Sequence, residues 1–207
     1  MAIGFLVSTL AHSAITVVDD SRAAEVSLSS DHSFPLGKPP VIDGVLRDDE
    51  WADAATVFID VEEGWRVKVF YKRDGSNLHF AFSDLKNKGR ERYPEIMIDA
   101  KGDRGASWGS DDWWLHISYN DCEGNGRYNV WNCTPAKPGW KANNFPLMDP
   151  GIVEAEVSCE KLGIAPGASK TIGLAFNVTD TRSDYDYWPA SARLADPSSW
   201  ASVKLSD

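Results

Sequence analysis

Two short segments carry side chains whose types and spacing suit ligand chemistry. In Pro94-Glu95-Ile96-Met97-Ile98-Asp99, Ile96 and Ile98 alternate with Glu95, Met97 and Asp99. In Trp113-Trp114-Leu115-His116-Ile117-Ser118-Tyr119-Asn120, Trp113, Leu115, Ile117 and Tyr119 alternate with Trp114, His116, Ser118 and Asn120. A period of two marks strands with unlike faces, one apolar and built for a core. The other face gathers a carboxylate, an imidazole, a hydroxyl, an amide and an indole. Together these accept and donate hydrogen bonds and offer a flat apolar surface, which suits a ligand of hydroxyls and C–H faces better than plain solvent.

Other constellations carry weaker signals. The loop from Asp99 through Asp103 to Asp111 and Asp112 could gather oxygens around structural calcium. It is not an EF-hand, because Lys101 takes a ligand position and the closing Glu is missing, and plain loop acidity explains the same residues. Cys122 and Cys133 flank a Gly-Asn-Gly turn and can close a small disulfide loop worth about 2 to 3 kcal/mol. Cys159 falls on the inward phase of Val153, Ala155 and Val157 and reads as a buried free thiol. No zinc spacing is present. Gly105-Ala106-Ser107-Trp108-Gly109 matches a nucleophile-elbow pattern but lies between two strands rather than before a helix, so hydrolysis by this chain is not expected.

The elements that position these residues are strands. A chain of 207 residues fits one domain, and a formal charge of -10 argues against a nucleic-acid partner because no basic stripe is available to replace counterions. Nine tryptophans exceed what core packing alone calls for. Residues 1–24 read as a signal peptide around Ile3-Gly4-Phe5-Leu6-Val7, although no basic residue precedes the run; a secreted or periplasmic protein is expected, with no transmembrane segment in the mature domain. Residues 25–39 read as an extended lead-in and 40–207 as the domain. Alternation predicts strands at Trp65 to Lys72, Asn77 to Ser83, Glu95 to Asp99, Asp112 to Asn120, Arg127 to Trp131, Ile152 to Cys159, Thr171 to Thr179 and Trp200 to Leu205. Helical periodicity is confined to short stretches such as Asp48 to Ala55. The fold class is therefore all-β, a jelly-roll-like β-sandwich of two antiparallel sheets. In Thr171 to Thr179, Ile172, Leu174, Phe176 and Val178 pack inward and leave Thr171, Gly173, Ala175 and Asn177 as a low, open floor. Arg127, Asn129 and Trp131 take the matching phase, and an ordinary solvated face fits the same pattern.

Pro40-Val41-Ile42-Asp43-Gly44 with Glu50-Trp51, then Asn77-Leu78, Glu95 to Asp99, Val153-Glu154-Ala155-Glu156 with Leu162-Gly163, Leu174 to Asp180, and Asp196-Pro197-Ser198-Ser199-Trp200 follow one another in a recognisable order. From about Pro40 to Leu205 the chain resembles family 9 carbohydrate-binding modules. The resemblance implies a jelly-roll sandwich, a non-catalytic accessory of secreted glycoside hydrolases acting on xylan or cellulose, and structural calcium in some members. It further implies a sugar held between two indoles over a polar sheet. Glu95 matches the family's sheet glutamate, and His116 and Ser118 stand where sugar-binding members carry arginine and asparagine. Asn177 stands at a sugar-contacting glutamine, and Trp188 matches one indole. The second indole's position falls near Gly89, among Arg90, Arg92 and Tyr93, so Trp108, Trp131 and Trp140 are the candidates to replace it. The expected partner is an oligosaccharide or polysaccharide bound by a monomer. Two alternatives stand beside this one: a structural or protein-contact sandwich without sugar binding, motivated by the missing indole, and a haem-binding electron-transfer domain using Met97 and His116, which share a face.

Overall fold

The computed structural model describes residues 32–127, 132–133, 138–143, 151–180 and 185–205. Among the described residues the strands are β1 (His32–Ser33), β2 (Ala55–Glu62), β3 (Trp65–Arg73), β4 (Asn77–Ser83), β5 (Lys86–Asn87), β6 (Arg90–Glu91), β7 (Tyr93–Asp99), β8 (Asp112–His116), β9 (Cys122–Asn125), β10 (Trp140–Asn143), β11 (Val153–Ser158), β12 (Lys170–Thr179), β13 (Tyr185–Trp188) and β14 (Ala201–Leu205). One sheet runs β1-β14-β12-β7-β8-β9, with β13 also pairing to β12. The other runs β10-β11-β4-β3-β2, and β5-β6 is a small separate hairpin. Every pairing is antiparallel except β1 with β14. The described residues thus form an all-β sandwich.

Alternation builds the core. Val67, Val69, Leu78, Phe80, Phe82, Val153, Ala155 and Val157 of the five-stranded sheet face Ile96, Ile98, Leu115, Ile172, Leu174, Phe176 and Val178 of the seven-stranded one, all buried in one cluster. Strand β2 was not expected, since the Asp48 to Ala55 stretch reads as helical. The helix α1 is only Asp48–Trp51, and Val57 and Ile59 then alternate into the core. The seven-stranded sheet also takes in part of the lead-in: His32–Ser33 pairs with β14, and Phe34 is buried. Strand β8 ends at His116, four residues short of expectation, because the Ser118 amide and hydroxyl turn the chain through bonds to Asp121 and Asn120. Tyr119, expected on the core face, is therefore exposed. The expected strand Arg127 to Trp131 falls almost wholly outside the described residues, and β9 holds the sheet edge instead.

The residues that carry the family resemblance hold the scaffold. Buried Glu154 accepts hydrogen bonds from the Asp43 and Gly44 amides on Oε2, at 3.0 and 2.8 Å, and from the Trp51 indole on Oε1 at 2.9 Å. Gly44 has a φ of +81°, a left-handed conformation that L side chains rarely adopt, so this turn needs glycine. Burial outweighs the three donors and pushes the Glu154 carboxyl above its ordinary pKa. Next to it, the buried Lys72 ammonium bonds the Glu50 carbonyl and, at 2.7 Å, Asp53.

Candidate carbohydrate-binding face

The outer face of the seven-stranded sheet carries a polar row set by strand register. Asn177 of β12 pairs with Glu95 of β7, and Glu95 pairs with His116 of β8. His116 pairs with Cys122 of β9, and on the other side Asn177 pairs with Tyr187 of β13. Glu95 is the hub: Oε1 lies 2.8 Å from His116 Nδ1, and Oε2 accepts from the Asn177 amide at 2.7 Å. Because the amide nitrogen must face the carboxylate, Asn177 Oδ1 points away, buried and without a hydrogen-bond partner among the described residues. An acceptor left so in a protein interior costs about 1 to 3 kcal/mol unless something donates to it.

Next to this row the sheet raises two aromatic walls. Tyr93 and Tyr185 flank Thr179 directly in the register, two strand spacings apart, or roughly 9.5 Å. Tyr93 contacts Tyr119 with centroids 6.2 Å apart, and Tyr185 stacks on Tyr187 at 6.3 Å. Two faces that sandwich one flat ring stand about 7 to 8 Å apart, less than this backbone spacing. Burial first, with help from the Glu95 carboxylate, pushes the Tyr187 phenol up to about 12, keeping it a neutral donor.

The described sandwich overlays the solved structure of a family 9 carbohydrate-binding module from Caldicellulosiruptor kristjanssonii in complex with cellotriose, with a TM-score of 0.61 and 20% identity over 85% of this chain and 93% of that one. The same source's module in complex with glucose gives 0.59 and 20%, over 84% and 94%. No protein-family model matches the chain, and no curated protein matches it in sequence. The fold is that of a family 9 carbohydrate-binding module.

In this module-like sandwich, Glu95, His116 and Asn177 come together as their alternation implied. Their face differs from the open floor expected: Glu95 is 3% exposed and Asn177 0%. The segment after β13 folds back over it, packing Ala192 and Trp200 with Met97, Trp114, Cys122 and Ala175 in a second apolar cluster. Gly173 offers no free floor either, since a Cβ there would stand 2.8 Å from Asp99. Ser118 lies in the turn beyond β8, outside the row.

Trp188 is on the opposite face from the polar row. It pairs with Phe176, one residue out of phase with Asn177, and stacks on that ring at 5.5 Å. A one-residue step along a strand changes faces, so Tyr187 stands beside Glu95 and Asn177 instead. Only the register of β13 decides this, although the spacing of Tyr185 and Tyr187 is a signal the sequence holds. Near Gly89, the turn between β5 and β6 brings nothing within 4 Å of a Cβ. Trp108 donates to the Leu194 carbonyl and packs on Trp200, and Trp140 donates to Glu123 at 2.6 Å, so both serve the scaffold. Trp131 and Asn129 lie outside the described residues. Met97 is buried with its sulfur 3.9 Å from the Asn177 amide, and His116 Nδ1 is held by Glu95. Cys122 and Cys133 form a disulfide, and Cys159 is a buried free thiol.

The acidic loop brings three of its four expected carboxylates together. One oxygen each of Asp99, Asp103 and Asp111 lie within 4.8 Å of one another. Asp112 sits beside them: its Oδ2 accepts from the Gly109 amide, while Oδ1 is buried with no partner among the described residues. Burial, then the nearby Asp99, Asp111 and Asp103, pushes the Asp112 carboxyl up to about 6. This all-oxygen set suits a hard divalent cation, although Lys101 already pairs with Asp111 at 3.0 Å. Among the described residues, no helix is long and apolar enough to cross a membrane.

Proposed function

We propose that this chain is a carbohydrate-binding module of family 9 type that holds one pyranose ring between the Tyr93/Tyr119 and Tyr185/Tyr187 walls. The tyrosine faces take the C–H faces of the sugar, above the buried Glu95–His116–Asn177 row that holds the strands in register. The observation that carries this reading is the pair of tyrosines, Tyr93 and Tyr185, that flank Thr179 on the outer face, with Tyr185 exposed. The two solved neighbours hold glucose and cellotriose, which supports a β-linked plant polysaccharide such as cellulose or xylan as the source. The reading extends to a non-catalytic accessory of glycoside hydrolases. An exported, secreted or periplasmic location is supported by the Cys122–Cys133 disulfide. Calcium at Asp99, Asp103 and Asp111, with Asp112 beside them, is the proposed structural metal.

Each sugar hydrogen bond replaces one to water, for a net of about 0.5 to 1.5 kcal/mol. Dissociation constants of roughly 10 μM to 1 mM follow. Isothermal titration with glucose, xylose and their oligomers tests this. Heat should appear with the wild type and weaken at least fivefold with Tyr185→Ala, whose ring is 42% exposed. No heat at millimolar sugar would reject the tyrosine site.

A further inference from the structure

The sandwich closes where β13 packs against β2, and between them lies a cleft of about 450 Å3. Val57 and Ile59 of β2 pack in the core, so Phe58 and Asp60 take the outer phase and line the cleft together with Tyr185, Asp186, Tyr187 and Trp188 of β13. The volume lies within the range of about 300 to 1,000 Å3 that holds small ligands. The lining joins four aromatic rings to two carboxylates. The face of an aromatic ring is negative and a carboxylate beside it adds to the same field, so such a lining attracts a cation.

The chain itself already seats a cation on this lining. Arg66 places its guanidinium 4.3 Å from the Phe58 ring centroid, and its Nε lies 2.7 Å from Asp60. The two side chains are directly opposed in the β2–β3 register and are 57% and 79% exposed. An ion pair so open to solvent holds weakly and gives way to a competing cation. Lys68, opposite Phe58 in the same register, is engaged on the Phe70 ring at 4.3 Å. On the β13 side, Arg92 lies 3.1 Å from Asp180 and 3.7 Å from Asp186, so one guanidinium serves two carboxylates and that end keeps a net negative charge. The geometry points to a binding site for a small organic cation, an alkylated ammonium of the choline type, held on Phe58 and the β13 rings with Asp60 and Asp186 supplying the counter-charge. A hard metal ion fits poorly, because it asks for about six or more oxygen ligands, whereas a methylated ammonium is weakly hydrated and packs on ring faces. The site shares Tyr185 and Tyr187 with the proposed sugar face, but Phe58, Asp60 and Arg66 belong to the cleft alone, so its test stands apart from sugar binding.

Titration calorimetry of the intact chain at constant ionic strength compares choline with its neutral carbon isostere, in which a tert-butyl group replaces the trimethylammonium. Choline binds about tenfold tighter than the isostere. Phe58→Leu, at an exposed position, keeps an apolar side chain but removes the ring face; it weakens choline about fivefold or more and leaves the isostere unchanged, and Phe58→Tyr restores the affinity. Arg66→Ala removes the resident competitor and tightens choline about threefold or more. The proposal is overturned by equal binding of choline and the isostere, by choline binding untouched in Phe58→Leu, by choline binding weaker or unchanged in Arg66→Ala, or by no heat from choline at tens of millimolar.

Discussion

Asn177→Asp is the sharpest probe of the polar row. The substitution keeps the side chain's shape but places a carboxylate oxygen where an amide now donates to Glu95 Oε2 at 2.7 Å. Two full charges at that distance repel by about 6 kcal/mol at an effective dielectric of about 20. Holding a proton at pH 7 on a carboxyl of ordinary pKa near 4 costs only about 4 kcal/mol, so the pair keeps one proton and its pKa rises. The unfolded chain releases that proton near pH 4. Between pH 4 and the raised value the folded state therefore binds more protons than the unfolded one, and stability falls as pH rises. Relative to wild type, the variant should lose under about 1 kcal/mol at pH 4, where an O–H···O bond replaces the amide bond, and about 4 kcal/mol at pH 7. Urea denaturation at both pH values measures the difference. An equal loss at both, or no loss at either, would refute the facing of Glu95 and Asn177.

Three further outcomes follow from the scaffold and the acidic loop. Glu154→Ala strands the buried Trp51 indole and leaves the part-buried Asp43 and Gly44 amides without their acceptor, and should cost about 2 to 4 kcal/mol by urea denaturation; a loss under about 1 would show that the Asp43–Trp51 turn stands without it. Calcium at a hundredfold excess over its dissociation constant should add about 2.7 kcal/mol and raise the melting temperature by roughly 5 to 10 °C. Asp112→Asn should blunt that rise, and an identical melt in calcium and chelator would exclude the site. Burial first lowers the pKa of His79, against the opposing pull of Asp74 and Glu156. The unfolded imidazole then takes its proton first as pH falls below about 6.5, so stability declines in that direction, and His79→Gln should flatten this part of the pH profile.

How far each feature was legible depended on how local its cause was. Alternation is enforced by the backbone, so Ile96, Ile98, Leu115, Phe176 and Val178 were readable as core, and Glu95, His116 and Asn177 as one face. Strand β2 was missed because Asp48–Trp51 begins a helical turn that continues into it without a breaker. The aromatic partner was misplaced because β13 has only four residues, too few for its own pattern to set a phase. The floor looked open because a strand pattern carries no information about a distant loop that covers it.

What the chain's own residues determined, then, was the sandwich and the membership of each strand face, since a two-residue period is a property of every extended backbone. Tertiary structure alone decided three things: that Tyr187 rather than Trp188 joins the row, that Ala192 and Trp200 roof it, and that Asn177 is left with an acceptor to satisfy. Each depends on register or on contacts between segments far apart in sequence, where a shift of one residue exchanges a buried ring for a binding one.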